Sequence, residues 1–259
     1  MTFNHFFMAH KFKLGIVLFL LGTIGVLSML TVEIPMGGLP KAITDRFTPQ
    51  EIKLLTLINP LLLMIIGVLI GTALHDKVNL KIPSIKAFLK IEPAHVSFKE
   101  QLKGGVFIGI IAGVLITGVA AFFQSFLPAE FIALGSKIQI TPAARLLYGG
   151  ITEELLMRYG FMTLVVWIVF KISKRLQNST YILGILMSSL LFAAGHLPVV
   201  FNAVADPGVM LIAYVIIGNA AAGILFGWLY WKKGLEAAMI GHMTAHLVMM
   251  AGENILNLQ

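Results

Sequence analysis

Cysteine is absent from this chain, and charge is scarce. Without cysteine there is no disulfide framework, no thiolate metal site and no cysteine nucleophile. Asp, Glu, Lys and Arg make up 12% of the 259 residues, about half the share of an ordinary soluble domain. Apolar residues make up 58%. A chain this apolar cannot cover itself with polar surface, so its length measures membrane spans of about 20 residues each. Basic stretches interleaved with aromatics are missing too. The net charge of +7 is therefore no sign of nucleic-acid binding. The Lys and Arg fall between hydrophobic runs, where the positive-inside rule places them.

Seven hydrophobic segments are present, at about Leu14–Val32, Leu54–Leu74, Gly104–Leu127, Ala143–Phe170, Tyr181–His196, Val209–Trp231 and Leu235–Ile255. Runs of this length in lipid are helices, because helices satisfy their own backbone hydrogen bonds. The first is too long for a signal-peptide core and reads as a retained helix. The expected fold is all-α: a polytopic transmembrane helical bundle of about seven spans, with room for an eighth helix in the long loop. In the third segment Gly105, Gly109 and Gly113 recur every fourth residue, the spacing that lets helix backbones approach closely.

Loop charge gives the orientation. Seven spans with a cytoplasmic N-terminus put 13 Lys and Arg in inner loops and four in outer ones, the expected asymmetry. The loop at 75–103 alternates basic and apolar residues, which predicts an interfacial amphipathic helix on anionic lipid. Histidines outside the hydrophobic runs, among them His75 and His95, are expected to be solvated.

The fourth segment contains Glu153, Glu154 and Arg158. An unpaired charge at mid-bilayer costs about 2.5–3.5 kcal/mol on insertion scales, so three charges within six positions need compensation. Glu154 and Arg158 are four apart, with the acid on the N-terminal side, and can pair on one helix face. Glu153 lies about 100° round an α-helix from Glu154 and is free to meet another partner. The fifth segment ends in His196, and the seventh carries His242 and His246, again four apart. One cavity must gather these side chains if they are to be tolerated. The depths of Glu153 and His242 agree to within about a turn. His196, some 15 residues from the inner end of its segment, lies about 22 Å along it and fits less well.

Three elements, in order, resemble a known family: Glu-Glu-x-x-x-Arg (Glu153, Glu154, Arg158), Phe-x-x-x-His (Phe192, His196) and a late His-x-x-x-Asn-like element (His242, His246). This is the CPBP family, for CAAX protease and bacteriocin processing, also called Abi, which includes the type II CAAX prenyl endopeptidases. The resemblance covers roughly residues 140 to 250. It divides the chain into N-terminal spans with the basic loop (1–140) and a CPBP-like catalytic core (141–259). It implies an intramembrane or membrane-proximal endopeptidase that hydrolyses peptide bonds with a glutamate-activated water. By motif position Glu153 is the base and His196 its helper, His242 and His246 donate to the oxyanion, and Glu154 with Arg158 orients the site. The implied substrate is a peptide or membrane protein, in CAAX-type, bacteriocin or signalling-peptide processing or in immunity. Membrane lipid is the other expected partner, and a bacterial plasma membrane the expected location.

The departure from the family pattern is His246, where the family commonly has Asn. No cofactor is expected. Zinc is the alternative, since three histidines and a glutamate could hold it, although the His-Glu-x-x-His signature is absent. Two other functional classes compete. Buried Glu, His and Arg also build proton relays in proton-coupled or metal-ion transporters, but no pair of matching broken helices is visible. A non-catalytic membrane scaffold would not need the full set of ionisable residues.

Overall fold

The structure is a computed structural model and describes residues 2–33, 41–137 and 140–256. Among these residues every regular element is helical. In order they are α1 (Thr2–Ser28), α2 (Lys41–Thr44), α3 (Pro49–Thr56), α4 (Ile58–Leu74), α5 (Pro83–Phe88), α6 (Phe98–Phe123) and α7 (Ala129–Lys137). A π-helical stretch follows (Ala144–Glu153 and Leu155–Met162), running into α8 (Thr163–Ser173). The chain then forms α9 (Asn178–Ala194), α10 (Leu197–Ala203), α11 (Val209–Lys233) and α12 (Leu235–Leu256). Polar caps start the helices that leave the loops. Thr48 and Ser97 each accept from the backbone N–H three residues on, while Glu51 and Glu100 reach back, which satisfies otherwise orphaned donors.

Among the described residues six helical spans are long and apolar enough to cross a bilayer: Met8–Thr31, Pro49–Val78, Phe98–Phe126, Ala144–Ser173, Asn178–Asn202 and Val209–Lys233. The seventh expected segment forms the 22-residue α12, about 33 Å long. Its Glu236, His242, His246 and Glu253 hold its hydropathy below that of the other six. The protein is thus a polytopic helical membrane protein.

The glycine stripe of α6 faces α12. A methyl group added at Gly105 would meet the Ala237 carbonyl at 2.8 Å. One at Gly109 would meet the Gly241 carbonyl at 2.5 Å, and one at Gly113 the Val248 Cβ at 2.5 Å. Each distance is closer than a real Cβ contact allows, so the backbone of α6 is pressed against α12 from Gly105 to Gly113. The stripe joins α6 to α12 within one chain. On the other side of α12 lies the π-helical stretch, held to α1 by the Thr152 hydroxyl, which donates to the Gly22 carbonyl at 2.9 Å.

The end of the bundle that carries the 75–103 loop is tightly built. The interfacial helix expected there is only six residues long (α5), and the apolar residues ahead of it, Val78, Leu80 and Ile82, are fully buried. They belong to the main core rather than to a lipid-facing surface. His75, expected to be solvated, is also fully buried. Its Nδ1–H donates to the Leu80 carbonyl at 3.1 Å, and its ring lies 5.6 Å from that of Tyr159. The loop folds back under the bundle instead of leaving it, which carries His75 inward. Glu236, in the first turn of α12, accepts from the Ile85 backbone N–H at 2.8 Å and from the buried Gln101 amide at 2.9 Å. Gln101 also donates to the Lys233 carbonyl at 3.0 Å. These bonds anchor the N-terminus of α12, the helix that carries two of the expected site histidines.

At the opposite end α7 and α10 cover the bundle with a small separate core, in which Val200, Val204, Leu211 and Val215 pack with Leu127 and Phe131. The α9 span continues past His196 through α10 to Asn202, further than the sequence suggested, because Pro198 opens a new helix instead of ending the span. His196 therefore sits about 9 Å inside the span end. Glu153, nine residues in from Ala144, is at most about 14 Å from the same end. The two are within roughly a turn of each other in depth.

Candidate active site

Glu154 and Arg158 pair as their spacing requires: Arg158 Nε lies 3.4 Å from Glu154 Oε2, and both side chains are fully buried. Arg158 Nη2 donates to the Gly223 carbonyl of α11 at 3.1 Å. Its guanidinium lies between two phenylalanine rings, 5.0 Å from the Phe192 centroid and 5.7 Å from that of Phe226. Burying an arginine is tolerable only with such company: a carboxylate, a carbonyl and two aromatic faces.

His242 joins this pair to the second carboxylate. Its Nδ1 is 2.8 Å from Glu154 Oε1, and its Nε2 is 3.8 Å from Glu153 Oε2. The sequence suggested that Glu153 and Glu154 face different partners, as neighbours on an α-helix would. The π-helical winding changes that. Its i→i+5 hydrogen bonds place more residues on each turn and narrow the angle between neighbours, so both carboxylates reach one imidazole. They differ in access. Glu154 is sealed, while the side chain of Glu153 keeps 19% of its surface open.

His246 stacks on His242, with ring centroids 4.9 Å apart and planes 16° from parallel. Phe226 stacks on the other face of the assembly, 4.5 Å from His242. The His246 ring also rests on the π-helical backbone: a Cβ added at Gly149 would lie 2.5 Å from His246 Nε2. A glycine at that position is a requirement of the close approach. His246 Nδ1 is buried and has no hydrogen-bond partner.

His196 borders the cluster. Its Nδ1–H donates to the Phe192 carbonyl at 2.8 Å, and its ring packs edge-on against Phe192 at 4.8 Å. That bond fixes the proton on Nδ1 and leaves Nε2 as the basic nitrogen in the neutral ring. His196 is near enough to His246 to act on it electrostatically, but it makes neither a hydrogen bond nor an ion pair with Glu153. The structure therefore brings five of the six sequence-derived residues into direct or stacked contact: Glu153, Glu154, Arg158, His242 and His246. His196 is attached through Phe192.

Sequence reasoning missed the supporting residues Phe226, Gly223 and Gly149. Phe226 and Gly223 sit on α11 in an apolar run that shows no chemistry, and only their contacts reveal them. Further out, Arg145 Nη1 reaches both carboxylate oxygens of Glu253 at 2.8 Å, tying the start of the π-helical stretch to the end of α12. Among the described residues no three His, Asp or Glu side chains are arranged to hold a metal ion.

The set can hold a water near an accessible carboxylate, hold a second carboxylate between arginine and histidine, and offer imidazole nitrogens to a developing negative charge. Comparison with curated proteins and with solved structures returns no match. Residues 135–248, which hold the whole cluster, match the family model described as Type II CAAX prenyl endopeptidase Rce1-like.

Proposed function

We propose that this protein hydrolyses peptide bonds in membrane-associated substrates by a glutamate-activated water, with Glu153 as the general base. The carrying observation is the contrast between the two adjacent carboxylates: Glu154 is sealed and committed to Arg158 and His242, while Glu153 is partly open and only loosely engaged. In the reaction Glu153 accepts a proton from water, and the resulting hydroxide attacks the scissile carbonyl carbon. The carbonyl oxygen takes the negative charge. Glu153 then returns its proton to the leaving nitrogen as the carbon–nitrogen bond breaks. General acid–base catalysis of this kind contributes about 10²–10⁴-fold.

His246 is proposed to donate to the oxyanion. A buried nitrogen without a partner is costly, and a developing oxyanion would supply the partner. The Glu154–Arg158 pair orients His242, and His196 shapes the neighbouring wall with its Nε2 available for proton transfer. We place Glu153, not a metal, as the activator of water, because His242 directs both ring nitrogens toward carboxylates. The substrates we propose are peptide or membrane-protein segments entering from the bilayer or from its cytoplasmic side, in CAAX-type, bacteriocin or signalling-peptide processing. The charge asymmetry of the loops supports a cytoplasmic N-terminus, and the location we propose is a bacterial plasma membrane.

The test is cleavage of a fluorogenic peptide library by the reconstituted protein. Glu153→Gln is expected to lower kcat by at least about 10²-fold, and a zinc chelator to leave the wild-type rate unchanged. Full activity in Glu153→Gln would remove the proposed base. Activity lost to the chelator and restored by zinc would replace the mechanism with a metal-bound water.

A further inference from the structure

Three of the chain's five tyrosines have a use for their hydroxyl inside the protein. Tyr159 donates to Thr72 at 3.0 Å, Tyr181 donates to the Val78 carbonyl at 3.0 Å, and Tyr230 shares a 3.0 Å hydrogen bond with Thr163. Tyr214 packs against Phe123 and Phe131 beside the small core at α10. Tyr148 does neither. Its ring belongs to neither hydrophobic core, and its hydroxyl has no hydrogen-bond partner among the described residues. Packing does not seal that oxygen either. Yet Tyr148 lies inside the span Ala144–Ser173 and is only partly exposed. A polar group left unpaired there is costly unless its partner comes from outside the chain.

Two neighbours place Tyr148 at the glutamate–histidine cluster. Tyr148 and Glu153 belong to one π-helical stretch, Ala144–Glu153. On an α-helix, residues five apart lie about 140° from each other round the axis. In a π-helix the i→i+5 hydrogen bonds set them about one turn apart. Tyr148 is correspondingly near enough to Glu153 to act on it electrostatically. The next residue, Gly149, lies against the His246 ring. The phenol and the partly open carboxylate make no direct hydrogen bond, an arrangement that one water molecule can bridge.

We propose that Tyr148 is a further catalytic residue, which together with Glu153 holds the attacking water. The water gives one O–H to Glu153 and the other to the Tyr148 oxygen, since a phenol can accept as well as donate. A lone pair is then left for the scissile carbon. Glu153 takes the first proton, the hydroxide keeps the second as it bonds to carbon, and Tyr148 stays neutral throughout. A water held by one carboxylate alone is free to turn; a second contact removes that freedom before the reaction begins. The inference rests on the peptide hydrolysis proposed above.

Kinetics of peptide cleavage by the reconstituted full-length protein test it, with Tyr148→Phe, Glu153→Gln and the double variant side by side. Tyr148→Phe is expected to lower kcat by about 10- to 100-fold, with KM within about threefold of wild type and the melting temperature unchanged. In the Glu153→Gln background the same change should cost less than about threefold, because the two groups act on one water and their losses do not add. A wild-type kcat in Tyr148→Phe, with Glu153→Gln impaired, overturns the role of Tyr148 and leaves the proposed base standing. A rise in KM alone overturns it in favour of a substrate contact. Equal loss in both backgrounds overturns it in favour of an independent or structural role. Cleavage that survives Glu153→Gln, or no cleavage by the wild type, overturns the proposed hydrolysis and this inference together. If Tyr148→Phe fails to fold, Tyr148→Gln against Tyr148→Leu decides. The amide oxygen can accept from the water, so Tyr148→Gln must keep the higher kcat, and equal rates overturn the proposal.

Discussion

His246 lies face to face with His242, 4.9 Å away and almost parallel, where the family commonly carries an asparagine. The stack fills the same space over Gly149 that a smaller amide would leave open. If His246 acts as an oxyanion donor, an amide can replace it. His246→Asn should keep kcat within about tenfold of wild type, while His246→Leu, which fills the space without a donor, should lose about 10²–10³-fold, as for other oxyanion donors. Steady-state kinetics on one peptide distinguishes the two. Equal loss in both variants would mean that the ring is needed for packing alone.

The Glu154–Arg158 pair should be worth more to folding than its 3.4 Å separation suggests. Removing one partner strands a buried charge. Glu154→Gln is expected to destabilise by about 3–5 kcal/mol, and the double replacement Glu154→Leu with Arg158→Met by clearly less. Thermal melting in detergent, followed by circular dichroism, would show the ordering. A double variant as unstable as the sum of the singles would contradict it.

The α6–α12 seam predicts a sharp contrast between two glycines of one helix. Gly109 is in backbone contact with Gly241, whereas Gly118 has open space where its side chain would be. Gly109→Leu should destabilise by about 1–3 kcal/mol or more through overpacking. Gly118→Leu should be neutral. Both can be read in the same melting experiment, and similar values for the pair would disprove the seam's tightness.

Gln101 should matter for position rather than chemistry. It ties α6 to both Lys233 and Glu236 at the start of α12. Gln101→Leu leaves the buried Glu236 short of a donor, at a cost of about 1–3 kcal/mol. At temperatures where the variant remains folded, its KM for peptide should stay near the wild-type value.

Much of this was visible in the sequence, for physical reasons. Hydrophobic run length marks spans because lipid tolerates few alternatives, so the helices at 8–31, 98–126 and 209–233 follow directly. Glu154 and Arg158 are local partners, and spacing alone pairs them. The glycine stripe announced a close helix contact, although only the fold shows that α12 is the partner. The π-helical winding at 144–162 was not legible, because it depends on tertiary packing and alters the angle between Glu153 and Glu154. Nor was the burial of His75: it lies just beyond an apolar run and looks like a loop residue until the loop folds inward. The end of the fifth segment was not legible either: Pro198 lies in the first turn of α10, and a proline that stops one helix can also begin the next.

The glycine seam has one further consequence. A helix pressed backbone to backbone against its neighbour has no side-chain cushion in which to slide or swing. α12 carries both stacked histidines, and its N-terminus is anchored by Glu236. The histidines therefore sit on a fixed rail, and a substrate must bring its scissile bond to them.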